Sequence, residues 1–185
     1  MPAIDPRVPL GVFLGLLIAQ RAYELMLSAR HARFLRTLGG VEWGRGHFLL
    51  LVALHALWPL CLTLEVLALG ARIPSSWPIW LALFALGQFL RLWAIRTLGP
   101  FWTVRVWVVP GTTPVRRGPY RYLRHPNYLG VALELLAAPL FFGAWRTAVF
   151  ATLANVLVLA IRIRVEERAL AWGAADGANV SGRPA

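Results

Sequence analysis

The sequence predicts an all-α integral membrane protein of about five transmembrane helices, and three observations lead there. Of its 185 residues 58% are hydrophobic and only 15% charged, a balance outside the soluble class. The apolar residues collect into long runs. Arginines gather in alternate connections between those runs. One domain, 1–172, is expected, followed by a Gly- and Ala-rich tail, 173–185, expected to be flexible.

The first apolar run, 8–27, continues straight into polar positions that include Arg21 and Glu24, with no small-residue cleavage site, so it reads as a retained span and not a signal peptide. Runs 48–69 and 77–98 are each long enough to cross about 30 Å of hydrocarbon at about 1.5 Å per residue. Runs 128–142 and 147–161 are short for a span and are separated only by residues 143–146. They predict a tight helical hairpin whose full crossing stays open. Between the third and fourth runs, residues 103–109 alternate β-branched and larger side chains and predict a short extended segment, ended by Pro110-Gly111. Pro119 and Pro126 interrupt any helix between them.

The formal charge is +11, and all 19 basic residues are arginine. They flank apolar runs, so anionic lipid headgroups are the expected partners and nucleic acid is not. The lone Cys61 excludes an intrachain disulfide. The histidines at 31, 47, 55 and 125 lack the paired spacing of a metal site, and no metal is expected. Arginine crowds the first connection, the third, and the C-terminal segment, whereas the other side has little more than Arg7, Arg72 and Arg146. The positive-inside rule then puts the N-terminus outside and the C-terminus in the cytoplasm.

The densest polar chemistry lies in 118–130 and again in 162–168, at the two ends of the last hairpin. Ionisable groups beside lipid are costly to keep and usually mark a site. Arg162 and Glu166, four residues apart, share one helical face. A guanidinium there is well shaped for a carboxylate or other oxyanion; the alternative is an intrahelical pair that anchors the helix end. Glu166 and Glu167 point about 100° apart, so one at most faces a ligand squarely. Glu134, deep in the fourth run, either lines a pocket or pairs with Arg91 or Arg96. Gln20, Arg21, Glu24, His55 and Glu65 either line a lateral route for a lipid or bond between helices. Glu42, Arg45 and His47 either cap the site or serve topology alone.

Gly118-x-Tyr120-x-x-x-Arg124-His125-Pro126-x-Tyr128-x-Gly130, followed by Arg162-x-x-x-Glu166-Glu167-x-x-Leu170, resembles the isoprenylcysteine carboxyl methyltransferase family of integral-membrane enzymes over about residues 97–172. Gly39-Gly40-Val41-Glu42-x-Gly44-Arg45-Gly46-His47 and Gly99-Pro100-Phe101-Trp102-Thr103-Val104-Arg105 look most like a bacterial branch, some members of which are thought to O-methylate long-chain alkylpyrones. The resemblance implies S-adenosylmethionine as cofactor and a prenylated or long-chain small molecule as methyl acceptor. It implies cofactor contacts at Tyr120, Arg121, Tyr122 and Leu123, largely through backbone, at His125 and Tyr128, at Leu133, Glu134, Leu135 and Leu136, at Thr113, where the family often has Gln, and at Glu166. It makes Arg162 the residue that holds the acceptor, so Arg162 and Glu166 are the expected catalytic pair. Two other classes stay open on the sequence: a membrane reductase of the related sterol-reductase type, and a non-enzymatic lipid-binding subunit.

Overall fold

The computed structural model describes residues 6–181. These residues form five α-helices: α1 (Arg7–Thr37), α2 (Arg45–Leu67), α3 (Trp77–Leu98), α4 (Pro126–Phe141) and α5 (Trp145–Ser181). Strands β1 (Val41–Trp43) and β2 (Val106–Val108) pair antiparallel, with Glu42 opposite Trp107. Four of the helices are long and apolar enough to cross a membrane, and α4 is a shorter apolar helix. The extended segment expected at 103–109 is β2; its partner β1 comes from the first connection.

One expectation about length is corrected. The run at 147–161 is not a short half of a hairpin but the start of the 37-residue α5, about 55 Å long at 1.5 Å per residue. Its first half is apolar and long enough to cross a bilayer, and its run of charged residues begins at Arg162. α5 continues to Ser181, through part of the stretch 173–185 read above as a tail; residues 182–185 lie outside the described residues.

Outer faces of the helices present Leu16, Leu49, Phe89 and Leu157, each more than half exposed. An apolar surface on that scale is a lipid-facing one. The interior is built from helical repeats: Leu10 and Leu17 on α1, Leu54, Trp58, Leu62 and Val66 on α2, and Val131, Leu135, Ala138 and Phe142 on or just after α4. Phe13 meets Trp58, Phe84 and Phe142 edge to face. Because lipid tails are as apolar as leucine, such contacts hold through close packing and not through expulsion of water.

Two devices fix where α4 and α5 sit. Gly87 on α3 faces Gly130 on α4, and a Cβ built on Gly130 would lie 2.7 Å from the Gly87 carbonyl oxygen and 2.5 Å from Arg91 Cγ. Two missing side chains therefore let the helix backbones touch. At the opposite end of the bundle, the Glu65 carboxylate of α2 accepts bonds from the backbone N–H groups of Arg146 (3.1 Å) and Thr147 (2.7 Å), and from the Thr147 hydroxyl (2.7 Å). It satisfies amides that the first turn of α5 leaves without intrahelical partners, and it complements the helix dipole.

Replacing Gly130 by Val should therefore overpack the α3–α4 crossing and cost on the order of 1–3 kcal/mol. The expected result is a melting temperature in detergent lower by several degrees, measured against Gly15→Val, a position where a Cβ meets nothing within 4 Å.

Candidate active site

The site lies where the connections between helices gather. Its floor is the first turn of α4, which Pro126 opens with a preset φ and no amide to satisfy. Its wall is the segment from Trp102 to Val109 with β2. The extension of α1 supports that wall: His31 donates through Nδ1 to the Trp102 carbonyl (2.7 Å), Ser28 Oγ accepts from the Val104 amide (2.9 Å), and Arg36 lies over the Trp107 ring. The polar half of α5 closes the far side. Ala169 there packs on Val106 and Val108, and Trp172 meets Trp43 of β1.

A cavity of about 230 Å³ sits between these elements, lined in part by Trp107, Thr113, Tyr120, His125, Tyr128 and Glu166. A second, of about 270 Å³, lies inside the bundle among Leu51, Val52, His55 and Val131 and reaches Arg21, Glu24 and Arg91. Both are bounded by Trp102, Thr103, Asn127, Tyr128 and Arg162. The second reaches Leu25 and Val52, which are exposed on the outer faces of α1 and α2. It is therefore continuous with the surface that faces lipid.

At the shared boundary Tyr128 joins the two expected catalytic residues. Its hydroxyl donates to Glu166 Oε2 and accepts from Arg162 Nε at 2.7 Å. Arg162 and Glu166 thus communicate through a phenol and not as a direct intrahelical pair. His125 stacks on the Tyr128 ring, with centroids 5.3 Å apart and planes at 15°. Tyr120, in the 3-10 turn Gly118–Arg121, has its phenol pushed well above the usual value by burial and, second, by the Glu166 carboxylate. It stays a neutral donor at any physiological pH. Glu167 points away, 3.9 Å from both Arg124 and His125 and half exposed.

The other expected cofactor positions fall elsewhere. The side chains of Arg121, Tyr122 and Leu123 are exposed, with Arg121 lying over the Tyr122 ring. None of the three lines either cavity. Leu133 packs near Gly87, Leu135 lies in the helix core, and Leu136 is half-buried away from the cavity walls. Glu134 is fully buried and bonds to Arg91 and Arg21. Arg91 also reaches both oxygens of Glu24 at 2.6 Å, and Arg21 reaches Glu24 at 2.7 Å. Of the two sequence readings of Glu134 the pairing is what forms, and its second partner is Arg21 in place of Arg96. Gln20 bonds Glu24 and Gln88, and Glu65 caps α5, so both act between helices. Sequence reasoning passes over Asn127. It is the unspecified residue within the His-Pro-x-Tyr string, and its Oδ1 is buried with no partner among the described residues.

Residues 80–172 match the Isoprenylcysteine carboxyl methyltransferase (ICMT) family. The chain belongs to this family. Among its relatives is the uncharacterized protein YpbQ of Bacillus subtilis, 36% identical over 86% of this chain and 95% of that protein. An uncharacterized protein of Haemophilus influenzae is 29% identical over 87% of this chain and 94% of its own length. No solved structure matches. Family membership and the lipid-facing helices make the chain a membrane methyltransferase of the isoprenylcysteine type. The matched segment holds α4, the connection before it and the Arg162–Glu166 face, and leaves out α1, β1 and α2.

Glu134→Ala should strip Arg91 of a partner in a fully buried place and cost about 3–5 kcal/mol. We expect a large drop in the yield of monodisperse protein and in its melting temperature. Tyr128→Phe, which removes a hydroxyl and no charge, should cost less, about 1–3 kcal/mol, because Arg162 and Glu166 each lose one hydrogen bond.

Proposed function

We propose that the chain transfers a methyl group from S-adenosylmethionine to a carboxylate or hydroxyl oxygen of a long-chain or prenylated acceptor. The observation that carries this reading is the pair of cavities with one common boundary: one with the more polar lining among the connections, and a more apolar one that reaches the lipid-facing surface, meeting at Tyr128 and Arg162. A water-soluble donor and a lipid acceptor need such an arrangement, since neither enters the other's solvent.

The residues of the first cavity fit the cofactor. Glu166 has Oε2 engaged by Tyr128 and Oε1 left for a cation or a ribose diol. The unpartnered Asn127 Oδ1 and the neutral Tyr120 phenol provide an acceptor and a donor. Val106, Val108, Trp107 and Pro114 provide an apolar and aromatic slot for a purine. When bound, the cofactor supplies a methyl group already activated by positive sulfur.

What remains for the protein is mainly alignment, and holding two reactants in line lowers the barrier more than anything else these residues can do. Arg162 holds the acceptor oxygen as an anion, either a carboxylate already ionised or an acidic hydroxyl whose proton has passed to water, because a guanidinium keeps its charge and has donors to spare beyond Nε. The Tyr128 hydroxyl bonds the guanidinium on one side and the Glu166 carboxylate on the other, so the cation at the acceptor and the acid at the cofactor are set by one group. Arginine at this end of the bundle, at 30, 33 and 36 on the last turns of α1 and at 105, 116, 117, 121 and 124 on the connection before α4, supports a cytoplasmic site supplied with cytosolic cofactor.

Calorimetric titration of the purified protein with S-adenosylhomocysteine tests the reading. Wild type is expected to bind, Glu166→Ala to bind at least tenfold more weakly, and Arg162→Ala to bind within about threefold of wild type, because the loss of a charged hydrogen bond is worth roughly 1.5–3 kcal/mol. Turnover, followed with a methyl-labelled donor and a prenylated cysteine carboxylate or a long-chain phenol, should vanish in Arg162→Ala. No binding to wild type at millimolar ligand removes the proposal.

A further inference from the structure

The first connection reaches the site from outside the matched segment 80–172. His47, in the first turn of α2, is buried, and its Nε2 lies 3.5 Å from Nη1 of Arg162, at the long end of a hydrogen bond. An arginine cannot accept, so the imidazole must be the acceptor: Nε2 carries the lone pair and Nδ1 the hydrogen. That Nδ1 is buried with no partner among the described residues. Leaving a buried donor unsatisfied is costly, and here the ring is turned so that the cost falls on the side away from Arg162.

Gly44 holds the ring in this orientation. Its backbone is left-handed, φ 64 and ψ 44, a conformation that favours glycine. A Cβ at that position would lie 2.5 Å from His47 Cε1, 2.5 Å from His47 Nδ1 and 2.5 Å from Cγ1 of Val165 on α5. The turn between β1 and α2 is therefore pressed at once against the histidine and against the helix that carries Arg162. It is anchored in turn by pairing of β1 with β2 and by Trp43 on Trp172. Tyr128 takes Nε of Arg162 and His47 faces Nη1, so the guanidinium is held at two edges, by α4 and by α2.

We propose that His47 is a positioning residue for acceptor binding: backed by Gly44, it fixes the plane of the Arg162 guanidinium and leaves the remaining N–H groups for the acceptor oxygen. The inference rests on Arg162 holding the acceptor. His47 lines neither cavity, so it acts through Arg162 and not on the reacting atoms.

Two measurements on the full chain in detergent test it. In methyl transfer to the acceptor probes above, His47→Ala should lower kcat/KM for the acceptor on the order of 10- to 100-fold, the scale of a misplaced catalytic group, with S-adenosylhomocysteine affinity within about twofold of wild type. His47→Gln, whose amide oxygen can accept from the same guanidinium, should recover most of the loss. Gly44→Ala should reproduce the defect, and the double variant with His47→Ala should be no worse than either alone. Unchanged turnover in His47→Ala, or equal losses of cofactor affinity and turnover, overturns the inference. The second measurement needs no turnover: in ¹⁵N-histidine spectra of the unliganded protein, His47 should appear as a neutral ring with unprotonated Nε2, and Arg162→Gln should shift that resonance. A resonance that does not move overturns the inference, whereas a wild-type protein that fails to bind S-adenosylhomocysteine overturns only the proposed function.

Discussion

Four charges inside the helix bundle set the geometry on which everything else rests. Arg91 of α3 meets Glu134 of α4 and Glu24 of α1, and Arg21 of α1 closes the ring by touching both acids. Two cations and two anions sum to zero, which is what a medium without water demands. The ring holds three helices at one depth. Tyr128 lies six residues before Glu134 on α4, about 9 Å along the axis, so fixing Glu134 fixes the height at which the tyrosine hydroxyl emerges between Arg162 and Glu166. Gly87 and Gly130 lie between these two levels and let α3 and α4 approach closely enough for Arg91 to reach across.

Much of this was legible in the sequence because the bilayer imposes long runs of one character. The first three spans and the β2 segment follow from apolar length and β-branched alternation. The face shared by Arg162 and Glu166 follows from helical spacing. Less was legible where a side chain has two good uses. The charge of Glu134 at depth signals importance but not whether a ligand or an arginine meets it, and Arg21 is distant in sequence from both Arg91 and Glu134. The motif string falls on a turn of chain that borders a cavity, yet its exposed members, Arg121, Tyr122 and Leu123, and its cavity-facing member Asn127 differ only in how the 3-10 turn and Pro126 rotate the backbone. The length of α5 was underestimated because its second half turns polar where it leaves the lipid, and a hydropathy pattern ends there although the helix does not.

On the proposed reading, the chemistry follows from separating solvents. A cavity bounded by aromatic and polar connections and another bounded by span side chains share one thin partition, and the residues in that partition belong to α4 and α5, with Trp102 and Thr103 from the connection. The N-terminal half of the chain is more than membrane anchorage. It supplies Arg21 and Glu24 to the apolar chamber, His31 and Ser28 to the wall, and Gly44 and His47 to the back of Arg162. Motif-bearing residues therefore make up only part of the site, and the rest comes from elements whose sequences look like ordinary spans and loops.

The cap that Glu65 forms on α5 has a mechanical consequence. α2 and α5 run antiparallel and meet near both ends of α2, by Glu65 bonding Thr147 at one and by His47 beside Arg162, half-way along α5, at the other. Two fastenings separated by most of the span prevent one helix from sliding along or turning against the other. The guanidinium is thus held at a set level relative to the lipid-facing belt, and on the proposed reading it is the acceptor, not the helix, that adapts to that level.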